Sequence, residues 1–183
     1  MAVKTFTAGA VLTASDTNTF LANSGLVFVK SQTIGTAVSS VAVTSAFSAT
    51  YDAYKILITG GVASTNNVLY LQLGSTTTGY YTIMAYSNFS AVNTPASDGN
   101  SNGTNFLYAG SGTANNLAAN IELQNPFLTR RTQFQASANL GNTYTGTSSG
   151  VLDNTTSYTG FTILMNTGTL TGGTITVYGY RLG

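Results

Sequence analysis

The residues able to do chemistry in this 183-residue chain are few: eleven tyrosines, five carboxylates and six cations, with no His, Cys or Trp. Without imidazole or thiol, the chain cannot use a His general base, a Cys nucleophile, a His/Cys zinc site or a disulfide. Two carboxylates flanking a bond would be the minimum for glycoside hydrolysis. Asp16, Asp52, Asp98, Glu122 and Asp153 are scattered along the chain, however, and Asp16 has a local structural role, so the sequence points away from an enzyme. No cofactor-binding or metal-binding pattern emerges. Gly110-Ser111-Gly112 begins like a phosphate-cradling motif but lacks its third Gly and a strand-to-helix setting, and reads better as a hairpin turn.

Tyrosine is the one abundant functional side chain. Tyr80, Tyr81, Tyr86, Tyr144 and Tyr158 fall in or near polar stretches, where aromatic rings beside Asn and Thr form a candidate surface for glycans. The competing structural reading is that a tyrosine packs its ring and leaves its hydroxyl near water. Arg130-Arg131 is the only adjacent pair of cations, and Glu122 upstream makes a cross-strand or intersubunit ion pair its simplest use. With a net charge of +1, the chain carries no basic track for phosphates, which argues against nucleic acid. No window approaches the roughly 18 apolar residues of a membrane span, so membrane insertion is not expected.

The elements that must position these side chains change in character near Gly25. Before it, Thr13-Ala14-Ser15-Asp16 has the form of a capping box, and a short helix over 17–23 would follow. Phe6, Val11, Leu12, Phe20 and Leu21 are that segment's apolar residues. A piece so small cannot bury them by itself, which makes them candidates for an assembly interface. Residues 1–25 are therefore read as an arm and 26–183 as the main domain.

From Leu26 onward the apolar period is two. Val41–Val43, Tyr54–Ile58, Val68–Leu73, Tyr81–Ile83, Ile121–Leu123, Phe134–Ala136, Phe161–Met165 and Ile175–Val177 each alternate as half-buried strands do. Turn clusters separate them at Gly60-Gly61, Gly74–Gly79, Asp98-Gly99-Asn100, Asn139–Gly150 and Gly172-Gly173. Strand after strand without helices predicts an all-β, antiparallel β-sandwich of jelly-roll type behind a short N-terminal helical arm. The polar stretches 87–105 and 141–157 exceed hairpin turns in length and are expected to be binding loops. Only 6% of residues are charged, against roughly a quarter in ordinary domains, while 43% are hydrophobic, enough for a core. Threonine supplies the outward polarity, because its branched side chain suits a pleated surface.

The opening Phe6-Thr7-Ala8-Gly9-Ala10-Val11-Leu12-Thr13-Ala14-Ser15-Asp16-Thr17-Asn18 resembles the N-terminal segment of bacteriophage minor structural and tail-fibre-like proteins. Tyr51–Ile56, Asn125-Pro126-Phe127 and the closing 172–181 resemble the β-sandwich heads of such proteins. The resemblance implies a non-enzymatic virion component made in the host cytoplasm. It also implies self-assembly, commonly as a homotrimer, with the arm joined to other tail or capsid proteins and the head facing outward. A tail or fibre position is the first expectation, with a capsid decoration protein and a module for host-surface glycans as alternatives.

Overall fold

The computed structural model describes residues 7–16, 25–91 and 94–181. The helix expected over 17–23, and with it Phe6, Phe20 and Leu21, lies outside these described residues. The capping box is present: Asp16 N donates to Thr13 Oγ1 at 3.1 Å, Thr13 N donates to Asp16 Oδ2 at 3.2 Å, and the Thr13 hydroxyl bonds the same carboxylate. It opens the short helix α1 (Ala14–Asp16). Each partner thus satisfies an amide that the first helical turn leaves without an acceptor.

All eight strands read from the alternation form. β1 (Leu26–Thr33), β2 (Ser40–Val43), β3 (Ala53–Thr59), the two-residue β4 (Val62–Ala63), β5 (Asn67–Leu73), β6 (Tyr80–Asn88) and β7 (Pro95–Gly103) make up the first half. The second half comprises β8 (Phe106–Thr113), β9 (Asn116–Gln124), β10 (Thr132–Leu140), β11 (Tyr144–Leu152), β12 (Phe161–Met165), β13 (Leu170–Thr171) and β14 (Thr174–Tyr180). β4 and β13 form a separate two-stranded ladder, and Leu170 of β13 also bridges to Val38.

The antiparallel pairing is nested. β1 pairs with β14, β2 with β12, β3 with β9 and β5 with β8, so outermost strands pair with outermost and innermost with innermost. Rolled into two layers, this long hairpin gives the sheets β1-β14-β3-β9 and β2-β12-β5-β8. That is the jelly roll, with the β8–β9 hairpin turning the corner between layers. Its core is the set of inward residues that the alternation selects, among them Tyr54, Ile56, Leu69, Leu71, Leu73, Ile121, Leu123, Ile163, Ile175 and Val177. Close turns need glycine where the chain crosses itself: Gly61 has φ +76, and a Cβ there would stand 2.2 Å from the Gly172 carbonyl oxygen.

Two hairpins are added to the roll. β6–β7 is inserted between β5 and β8, and β10–β11 between β9 and β12. They join through nine residue pairs, from Tyr144↔Asn88 to Leu152↔Tyr80, so the larger sheet continues beyond β9 as β10-β11-β6-β7. This four-stranded extension is here called the wing. It corrects three expectations. The stretches 87–105 and 141–157 are not long loops, because β7 and β11 run through them. Asp98-Gly99-Asn100 is part of β7 instead of a turn. Gly110-Ser111-Gly112 lies inside β8, whose turn comes later, at Ala114-Asn115. β7 can be short of apolar residues because none of its positions is buried, and β11 has only two buried positions, Ser148 and Leu152. β8 lies between the core and the wing, where small residues fit.

Candidate functional site

The inner face of the wing turns toward β8 and is fastened to it by side chains. The Ser148 hydroxyl donates to Leu107 O at 3.1 Å, Leu107 N donates to Thr82 Oγ1 at 3.4 Å, and the Ser111 hydroxyl bonds Asn139 O. Near the roll, this face is apolar. Tyr80, Phe134, Ala136 and Leu152 belong to the main core, and the Phe106 ring stacks on Phe134 at 4.5 Å. Farther out, the apolar residues give way to tyrosines.

Of the five tyrosines singled out by sequence, two are structural. Tyr80 is fully buried at the start of β6, its ring edge-on to Phe106 at 4.9 Å and its hydroxyl accepting from Leu73 N at 2.8 Å. Tyr158 is also buried, with its hydroxyl held by Thr76 at 2.7 Å and by Asn154 Nδ2 at 2.8 Å. Both rings are buried and both hydroxyls find their partners inside the fold, which fits the packing reading of a tyrosine. Tyr81 points to the opposite, outer face of the wing and is 38% exposed. Tyr86 and Tyr144 come together on the inner face as diagonal neighbours across β6 and β11, their rings 5.3 Å apart and tilted by 52°.

Three further residues complete that cluster. Asp98 stands opposite Met84 in β7 and so shares the inner face. The Tyr108 hydroxyl donates to Asp98 Oδ2, and Gly99 N donates to Oδ1 at 2.7 Å. Tyr70 contributes from the outward side of β5, between the core-facing Leu69 and Leu71. Tyr108 is positioned by a backbone irregularity. Leu69 pairs with Gly110 and Leu71 with Phe106, so Leu107, Tyr108 and Ala109 together face the single Tyr70, and Tyr108 has φ +57. A bulge of this kind re-aims a side chain, and a tyrosine held at positive φ stores backbone strain.

The proximity has electrostatic consequences. The Tyr144 phenol is pushed up to about 12, first by burial and then by Tyr70, Tyr86 and Asp98. Burial, the Asp98 hydrogen bond and the Asp98 charge raise Tyr108. Tyr70 is raised by burial and by Asp98. The cluster thus sets four phenols around one carboxylate. Asp98 is exposed and has no cationic partner among the described residues.

Glu122 and Asp153 are committed elsewhere. Glu122 pairs with Lys55 Nζ at 2.6 Å and accepts from the Tyr180 hydroxyl at 2.9 Å. The expected partnership of Glu122 with the arginine pair does not form, because register sets Lys55 directly opposite Glu122. Arg131 instead meets Asp153 at 2.7 Å. Among the described residues no group of three His, Cys, Asp or Glu could hold a metal, and no helix is long and apolar enough to cross a membrane.

The chain matches no protein-family model, and no curated protein matches it in sequence. Its fold and its tyrosine cluster therefore have to speak from their own geometry.

The outer face of the large sheet carries a different surface. A concavity of about 310 Å³ there is lined by Glu122, Gln124, Gln133, Gln135, Ser149 and Val151, uncharged apart from Glu122. At either end of this face stand apolar side chains without cover: Phe28, 60% exposed and edge-on to Tyr178 at 6.2 Å, and Ile83, 68% exposed. In the arm, Val11 is 81% and Leu12 50% exposed.

Proposed function

We propose that this chain is a non-enzymatic structural protein of a bacteriophage virion, a trimeric tail or fibre component. Residues 1–25 attach it to the particle and the jelly roll is displayed outward. The observation that carries the reading is the arm. Its capping box starts a helix at Ala14, and Val11 and Leu12 just before it stand exposed and take no part in the roll's core. Apolar side chains left uncovered next to a specified helix start suit a segment that docks on another protein. Phe28 and Ile83 on the outer face offer apolar surface for contacts between copies.

Low charge supports the same reading. Copies of a β surface rich in Thr and Asn can pack together without burying ions, which would be costly. Such an assembly should respond weakly to salt, since screening acts on charge pairs.

The test is removal of residues 1–25 from the phage-encoded protein. The shortened chain is expected to fold and to be missing from purified particles, while the full chain is present at the copy number of a tail component. Normal incorporation of the shortened chain would refute the arm's role. A copy number in the hundreds would move the protein to the capsid shell as a decoration protein.

A further inference from the structure

The tyrosine cluster has no evident part in anchoring the chain or packing the roll. Tyr70, Tyr86, Tyr108 and Tyr144 are all half-buried, whereas the core tyrosines Tyr54 and Tyr80 are fully enclosed. The cluster is assembled from both layers, since Tyr70 and Tyr108 come from the smaller sheet and Tyr86, Tyr144 and Asp98 from the wing. Holding Tyr108 at φ +57 has a conformational cost that a packing role does not require. Gly146 makes room for the arrangement. It faces Tyr86 across the β6–β11 pair, and a Cβ there would come within 2.6 Å of Tyr86 Cβ and 2.7 Å of Met84 Cε.

We propose that this tyrosine–aspartate cluster is a binding subsite for a neutral saccharide. The proposal goes beyond the virion reading and does not depend on it. Half-exposed rings give a pyranose apolar faces to lie against, and phenol hydroxyls can each donate and accept. The Asp98 carboxylate has about four acceptor positions, of which Tyr108 and Gly99 N occupy two, leaving acceptors for sugar hydroxyls.

The same chemistry selects among ligands. Uronates, sialic acids and phosphate-bearing glycans would meet the Asp98 charge, which no cation among the described residues pairs with. Choline would find ring faces and a carboxylate for its cationic head, but with a single hydroxyl it would leave most of the phenol hydroxyls unused. A polyol uses every group present.

The experiment titrates the full chain by calorimetry with hexasaccharides of glucose, mannose, galactose and N-acetylglucosamine. Oligogalacturonate, sialyllactose and choline serve as contrasting probes. Saturable binding of at least one neutral hexasaccharide is expected. Asp98→Asn and Tyr108→Phe should each weaken it on the order of tenfold, the usual effect of losing one hydrogen bond to a charged group. Ser40→Ala, exposed on β2 at the far edge of the smaller sheet, should leave it unchanged, and circular dichroism should show all variants folded. Failure of every neutral probe would overturn the assignment. So would preference for choline or an anionic probe, or neutral binding that is indifferent to both cluster variants.

Discussion

The jelly roll and the wing share one continuous sheet but are built on different terms. In the roll, inward positions of β3, β5, β12 and β14 are, apart from Gly179, large apolar or aromatic residues, so each strand declares its face. In the wing, the inward positions of β11 are Tyr144, Gly146, Ser148, Gly150 and Leu152. Only the last of these enters the main core. The roll is held by burial, and the outer wing by side-chain hydrogen bonds to β8 and by tyrosine contacts. Burial favours tight, uniform packing. Hydrogen-bonded tyrosines leave half-open rings and an uncompensated carboxylate, which are the requirements of a surface that meets a ligand.

The sharpest way to break this comparison is to cut a cavity in each region. Leu71→Ala in the roll should cost about 2–5 kcal/mol, since a fully enclosed site cannot relax. Met84→Ala, equally buried but beside Gly146 and on the same face as the half-buried Tyr86, should fall near the lower end of that range. Urea denaturation of both variants measures the difference, and equal losses would remove the distinction. Next in size is Gly146→Ala, whose Cβ would lie 2.4 Å from Ala85 O. Overpacking of this kind costs about 1–3 kcal/mol, and it should disturb the Tyr86 and Tyr144 ring signals in NMR while leaving those of Phe47 and Phe161 in the roll.

Alkaline pH tests the cluster more gently. The Tyr144 phenol rises from its ordinary 10.0 to about 12, so the folded protein keeps its proton where the unfolded chain has lost it. The stability due to the neutral phenol is present below pH 10 and is lost as pH climbs from 10 to 12. Tyr180, also raised to about 12 by burial and by Glu122, adds to the same slope from the roll's outer face. Tyr144→Phe should flatten the decline in denaturation midpoint over this window, and an unchanged profile would contradict the burial of that hydroxyl. The smallest effect belongs to Arg131→Ala at the base of the wing. Its exposed pair with Asp153 flanks the β10–β11 hairpin, and surface pairs are worth about 0–1 kcal/mol.

The roll was legible because its signal is local. Leu69, Leu71 and Leu73 alternate with Tyr70 and Gln72 in a pattern that needs no knowledge of neighbours. The capping box of Thr13 and Asp16 is local in the same sense. The wing was legible only in β6 and β10; Pro95–Gly103 contains no large apolar residue and reads as a loop, although pairing with β6 makes it a strand. The tyrosine site was half legible. Tyr86 and Tyr144 stood out by type, while Tyr70 looked like the polar side of a strand and Asp98 like a turn residue. Tyr80 and Tyr158 were misplaced on the surface, since sequence does not say whether a phenol will find its partner inside.

By itself, the sequence determined which side chains are available and which segments alternate. A chain with eleven tyrosines, no imidazole and few charges can offer rings, hydroxyls and amides to a partner and little else. Tertiary structure decided which rings meet. Nested strand pairing closes the roll, two inserted hairpins extend one sheet, and the wing's inner face lies over β8, so Asp98 reaches Tyr108 across ten residues of chain and Tyr86 meets Tyr144 across fifty-eight. Periodicity is a property of neighbours along the chain, whereas a site assembled from two sheets depends on register and on a bulge that no local pattern encodes.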